Sequence, residues 1–300
     1  MVNISNKGKG LIYGAIIGDI LGVPVEFCTK EELQQNPVVN MRSHEVHMQP
    51  KGTWSDDSSI LLLSLDAATT KSEKQFEQNM IKNLSDYYND FKFTPHGRIF
   101  DIGSGTRDAI ENMLSGVPLF ECGNKEFNNL GNGSLFRVIP CTLGFDKDST
   151  IIQHTSITHG HMTSQMCSLV FNEFIKQLLS GVNKEIAFDN LKSYKLSQMD
   201  GVKDLFANDI KAENVGSEGY VVATLIAGIH CLMTTESYED CVLKAVNLGG
   251  DTDTNAFVAG ALAGVYYGYE SIPPKWIGSI ASKEDVDRIV TLFLKEHNKE

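Results

Sequence analysis

Apolar residues recur at three- and four-residue intervals along most of this chain, the period of a helix that buries one face. The spacing predicts helices over Leu11–Leu21, Glu73–Tyr88, Ser164–Leu179 and Val286–His297. A shorter one, Thr106–Leu114, stops before Gly116 and Pro118, residues that end helices. Strand signals are sparse: Val38–Val46 and Ile151–Ile157 are the best, and neither alternates cleanly. The expected fold class is all-α. No linker, repeat or low-complexity tract divides the sequence, so residues 1–300 are expected to form one compact domain.

Two apolar segments carry glycine at every fourth position, Gly14, Gly18 and Gly22 in one, Gly260, Gly264 and Gly268 in the other. A glycine inside a helix costs about 1 kcal/mol relative to alanine. Each stripe therefore predicts a face where another helix approaches closely.

Charge narrows the function classes. With 26 Lys plus Arg against 38 Asp plus Glu, the formal net charge is −12. A reader of duplex nucleic acid needs a basic field, so that role is disfavoured, whereas acidic side chains can hold cations. The longest nearly uncharged apolar stretches, Tyr220–Met233 and Ala256–Tyr269, are too short to span a membrane. Asp19 and Glu26 interrupt the apolar N-terminal segment, which excludes a secretory leader and makes the cytoplasm the expected compartment. Six cysteines stand singly, as reduced core residues do, with neither a disulfide frame nor a zinc site.

Two segments carry the strongest chemistry. Ser55-Asp56-Asp57-Ser58 precedes the apolar run Ile60–Leu65, and Gly249-Gly250-Asp251-Thr252-Asp253-Thr254 precedes Ala256–Gly268. Each has an innocent explanation, because hydroxyl and acidic residues cap helix N-termini and complement the dipole. The second resembles the opening of a calcium loop but has Ala256 and Leu262 where glycine and a bidentate glutamate are required. Taken together they bring four carboxylates to the ends of two buried helices. Such groups repel unless cations lie between them, and oxygen-only ligands favour Mg²⁺ or Mn²⁺ over zinc. Capping of two unrelated helices is the competing account.

Weaker signals accompany them. Glu26 follows Pro24 between Val25 and Phe27, where desolvation would raise a carboxyl into the acid/base range; a plain surface turn is the alternative. The turns Asp101-Ile102-Gly103 and Gly131-Asn132-Gly133-Ser134 can present amides to phosphate, with Arg137 as a possible partner. Neither completes a dinucleotide fingerprint, since Asp108 and Phe136 occupy the last glycine position. Of eight histidines only His159, in Thr158-His159-Gly160-His161, is a site candidate.

The ordered set GAIIGDILGVPVEF, GTWSDDSSILLL, FDIGSGTRDAI, GNGSLFRVIP, TSITHGH, GYVVATLIAG and NLGGDTDTNAFVAGALAGVYYG resembles the ADP-ribosylglycohydrolase family over nearly the whole chain. The resemblance implies an all-α fold with two adjacent divalent cations, Mg²⁺ or Mn²⁺, at the base of a cleft. It assigns Ser55, Asp56, Asp57, Asp251, Asp253 and Thr254 to the metals. Glu26 and Asp101 become the candidate catalytic groups. Asn132, Gly133 and Ser134 match the loop that contacts the diphosphate, and His159 and Tyr220 match cleft residues near the ribose or adenine. Ser55 departs from the family's usual threonine, keeping the hydroxyl and losing the β-branch that fixes its rotamer. The implied activity is hydrolysis of the bond joining ADP-ribose to a protein side chain, arginine favoured over serine, or to a small acceptor. The alternative is a non-hydrolytic member that holds ADP-ribose or serves a structural or immunity role.

Overall fold

The computed structural model describes residues 4–126, 130–145, 147–192 and 219–297. Its α-helices, in chain order, are α1 (Ile4–Gly22), α2 (Lys30–Gln35), α3 (Asp56–Ala67), α4 (Glu73–Asp90), α5 (Ser104–Leu114), α6 (Val138–Gly144) and α7 (Asp148–Ser156). They continue with α8 (Met162–Leu179), α9 (Lys184–Lys192), α10 (Val221–Met233), α11 (Tyr238–Val246), α12 (Thr252–Tyr267), α13 (Pro274–Ile277) and α14 (Lys283–His297). Among the described residues β pairing is confined to two isolated bridges, Asn124 with His159 and Gly131 with Tyr220. The fold is all-α.

Neither of the two weak strand signals forms a strand, each for its own reason. Ile151–Ser156 lies in α7 with Ile151 and Thr155 buried, so burial of one helical face overrides the β-branched composition. Val38–Val46 is an irregular loop without a neighbouring strand. The Asn247 side chain serves Val38 instead, accepting from its N–H at 2.8 Å and donating to its carbonyl at 2.9 Å.

The centre of the molecule is the antiparallel pair α1 and α12, joined along the glycine stripes. A Cβ built on Gly14 would lie 2.2 Å from the Gly260 carbonyl oxygen, and one on Gly264 would lie 1.9 Å from that of Gly10. At the other end a Cβ on Gly18 would meet the Ala256 oxygen at 1.9 Å, and one on Gly22 would meet the Asp253 Cα at 2.3 Å. Gly268 does not continue the stripe; it ends α12 at φ 88°. Helix α1 is long and apolar enough to cross a bilayer, but 94% of that stretch is buried inside the protein, as in a core helix. All six cysteines are free, and five are buried.

Candidate functional site

The close approach of α1 and α12 determines what stands at their shared end. Beyond Gly22 the chain makes a short 3₁₀ turn, Val23–Val25, and delivers Glu26 beside the start of α12. Three hydrogen bonds stitch the junction: Phe27 N–H to the Gly250 carbonyl (2.7 Å), Gly250 N–H to that of Cys28 (2.8 Å), and Thr252 Oγ1–H to that of Gly22 (2.8 Å). Gly249 and Gly250 both have positive φ, 81° and 69°. A Cβ on Gly249 would lie 2.6 Å from the Lys30 nitrogen, so glycine is required there. The outcome is that one oxygen each from Glu26, Asp251 and Asp253 falls within 4.8 Å of the others.

A buried carboxylate inside α1 recruits the second aspartate pair. Asp19 accepts from Ser55 N–H (3.0 Å), Ser58 N–H (3.1 Å) and the Ser58 hydroxyl, locking the first turn of α3 onto α1. Ser55 caps α3, its Oγ accepting from Asp57 N–H at 3.2 Å. Capping does not account for the other segment: Asp251 holds the N-cap position of α12 but makes no side-chain cap. Its Oδ2 accepts from the Asn132 amide at 2.8 Å instead. Asp56 Oδ2 accepts from Gly103 N–H at 3.0 Å, which draws the Asp101 turn to the same place.

These groups surround a cavity of about 210 Å³. Glu26, Asp56, Asp57, Asp101, Asp251, Asp253 and Thr254 line it, together with Asn132, Gly133 and His159. Three expected site residues lie off that surface. Ser55 is buried behind the α3 turn, Ser134 is fully buried under its loop, and Tyr220 is 37% exposed next to Gly219, which does line the cavity.

Burial of so many carboxyls has an electrostatic signature. Desolvation, reinforced by Asp101, pushes Asp56 up to about 7, and desolvation alone outweighs its hydrogen bonds to push Asp19 up to about 6. Asp57 and Asp253 are raised well above the usual carboxyl range, by desolvation first and then by neighbouring carboxylates. Asp57 Oδ2 is buried without a hydrogen-bond partner. An orphaned carboxylate oxygen within an all-oxygen cluster fits a hard divalent cation, whose charge would remove the repulsion.

His159 is buried, and burial together with the Arg137 charge pushes its imidazole down to about 3. Its Nδ1 meets the Thr158 hydroxyl at 2.7 Å. The ring supports the glycine loop, since a Cβ on Gly131 or Gly133 would come within 3.0 or 3.1 Å of it. Arg137, a possible phosphate partner by sequence, is turned into the core: it donates to the His154 carbonyl at 2.9 Å and to Thr158 Oγ1.

Sequence reasoning passed over His47, whose Nε2 is hydrogen-bonded to Glu26 Oε2. Desolvation raises Glu26, and the Glu26 hydrogen bond raises His47. Asp19 was legible as an acid near an apolar helix, but its role as the anchor of α3 was not.

The sequence profile described as ADP-ribosylglycohydrolase matches residues 2–300. The ADP-ribosylarginine hydrolase Tri1 of Serratia proteamaculans is 30% identical, the match covering 95% of this chain and 78% of that protein. The ADP-ribosyl-[dinitrogen reductase] glycohydrolase of Rhodospirillum rubrum is 25% identical, covering 94% and 92%. A solved structure of an ADP-ribosylglycohydrolase-related protein complex superposes with a TM-score of 0.84 at 24% identity, covering 99% of this chain and 100% of that one. That likeness bears on the fold, and the profile match over the whole length decides the rest: this chain belongs to the ADP-ribosylglycohydrolase family.

Proposed function

We propose that this protein hydrolyses the glycosidic bond between ADP-ribose and a modified side chain, arginine above serine, releasing ADP-ribose. One observation carries the reading: two carboxylates outside the aspartate motifs, Glu26 and Asp101, face the same cavity as Asp56, Asp57, Asp251 and Asp253. Relatives named for ADP-ribosylarginine hydrolysis support arginine as the acceptor. The reading takes residues 1–300 as one catalytic domain, supported by the profile match and by a core continuous from α1 to α14.

Asp56, Asp57, Asp251, Asp253 and Thr254, with Ser55 behind them, would hold two divalent cations, Mg²⁺ or Mn²⁺. Bound there, the cations would orient the ribose hydroxyls and stabilise charge at the opening C1″ bond. Glu26, the more buried of the two, takes the proton of the attacking water; Asp101 faces the leaving group. Asn132 keeps Asp251 aimed into the cavity, and neutral His159 packs on Gly131 and Gly133, bracing a loop that lines the cavity and would contact the diphosphate. An arginine guanidinium leaves as a neutral base, which asks little of the acid, whereas a serine oxygen needs a proton.

Incubation with ADP-ribosyl-arginine and ADP-ribosyl-serine proteins, with and without Mg²⁺, tests this by the free ADP-ribose released. Release from the arginine conjugate only with Mg²⁺ is the expected result. Binding of ADP-ribose without cleavage of either conjugate would refute it.

A further inference from the structure

The imidazole beside Glu26 is too well braced to be an incidental neighbour. His47 and Glu26 side chains are 15% and 8% exposed, so their hydrogen bond is largely shielded from water. The ring stands in a bracket made by the chain neighbours of both candidate catalytic carboxylates. Phe27, next to Glu26, lies at 6.1 Å between ring centroids, and Phe100, next to Asp101, at 5.3 Å. One polar atom from each of Glu26, His47 and Asp101 falls within 4.8 Å of the others.

Behind the ring, polar contacts hold its backbone. Gln49 Nε2 donates to the His47 carbonyl at 2.7 Å, and Arg98 donates to Gln49 Oε1 at 3.1 Å. Val46 N–H donates to the Pro24 carbonyl at 3.0 Å, tying this loop to the turn that carries Glu26. Phe27 and Met48, each directly after a member of the pair, have left-handed backbones, φ 67° and 53°. Non-glycine residues hold that conformation only where the surroundings enforce it.

We infer that His47 is a positioning residue for the hydrolysis: its Nε2–H holds Oε2 of Glu26 and leaves Oε1 to meet the water in the cleft. An ionised carboxylate only accepts, so the proton of the shared bond belongs to the imidazole. The nitrogen that would ligate a cation is thereby engaged, and the pair works as base and orienter. Groups facing His47 are Glu26, Asp101 and, from α3, Asp56, all acidic, and all favour the donor form. The inference rests on Glu26 being the proton acceptor of the proposed reaction.

The test uses the full chain with saturating Mg²⁺ and an ADP-ribosyl-arginine substrate. His47→Ala is expected to lower kcat about 10- to 100-fold, the usual cost of a misplaced reacting group, with KM within about two-fold of wild type. His47→Gln, whose amide N–H can reach the same oxygen, recovers most of the loss. A His47→Ala enzyme with near-wild-type kcat, or a His47→Gln enzyme as slow as His47→Ala, overturns the inference. Proton NMR supplies a readout without turnover: a downfield imidazole N–H resonance, absent in His47→Gln and moved upfield in Glu26→Gln. A resonance indifferent to Glu26→Gln also overturns it. A wild-type chain that cleaves neither conjugate, yet shows the resonance and its dependence on Glu26, would overturn the proposed reaction and keep His47 as the group that orients Glu26.

Discussion

The proposed reaction gives single carboxylates at this site three kinds of work, and amide substitutions separate them. Glu26→Gln keeps the shape of the side chain and loses the proposed proton acceptor, so the chemical step is expected to fall roughly 100-fold or more while Mg²⁺ and ADP-ribose binding survive. Asp101→Asn is expected to hurt arginine-linked substrates more than serine-linked ones, through a lost contact to the guanidinium. Single-turnover rates on both conjugates check the pair, and a fast Glu26→Gln enzyme would reassign the base. Asp251→Asn differs from both. It keeps an oxygen for the Asn132 amide and removes one of several repelling charges, so hydrolysis is lost while the metal-free protein melts no lower than metal-free wild type. Thermal unfolding in chelator decides that outcome.

At the scale of elements, glycine content separates helices that touch from helices that merely pack. In α1, Gly14→Ala drives a methyl into the Gly260 carbonyl, an overlap no rotamer change relieves, and is expected to cost about 1–3 kcal/mol or more in urea unfolding. Gly8→Ala, in the same helix, meets only the Leu294 and Leu143 side chains at 3.5 and 3.9 Å and is expected to stabilise by about 0.5–1 kcal/mol. Equal effects of the two substitutions would remove the close-contact argument. The stripes were legible in the sequence because their period is local, and so were α4, α8 and α14, whose apolar residues recur on one face. The Asp251 turn was legible as chemistry because two acids and two glycines before an apolar helix have few other uses. His47 and Asp19 were not. Their partners, Glu26 and the Ser55–Ser58 turn, are remote in sequence, and a lone histidine or aspartate carries no spacing to read. Val38–Val46 misled because a side chain, Asn247, took the place of the missing strand.

For the molecule as a whole, the buried carboxyl cluster is a reservoir of instability that a bound cation would relieve. Asp56, raised to about 7, and Asp57 and Asp253, also raised well above the usual carboxyl range, hold protons more tightly folded than unfolded. Their contribution is present at low pH and is lost as pH rises through the folded values. Between about pH 6.5 and 8 the buried His154 and His159, pushed down to about 3, are neutral when folded, while unfolded they go from about half protonated to neutral, so they offset part of the carboxyl slope near pH 6.5 and little of it near pH 8. The melting temperature of chelator-treated protein is therefore expected to fall across that window, and less so in Asp56→Asn. Mg²⁺ at one hundred times its dissociation constant adds about 2.7 kcal/mol and flattens the slope. Calorimetry that finds no binding at millimolar Mg²⁺ would remove the metal from the scheme.

The pairing of Gly14 with Gly260 also sets an order of events during biosynthesis. Gly14 and Gly260 stand 246 positions apart, and all of that intervening chain must leave the ribosome before α1 finds α12, so α1 waits, apolar and unsheltered, for a distant partner. Contacts of such long sequence separation are slow to close. Glu26, Asp56 and Asp57 are translated well before Asp251 and Asp253 and meet them only at that closure, so the proposed cation site is completed late.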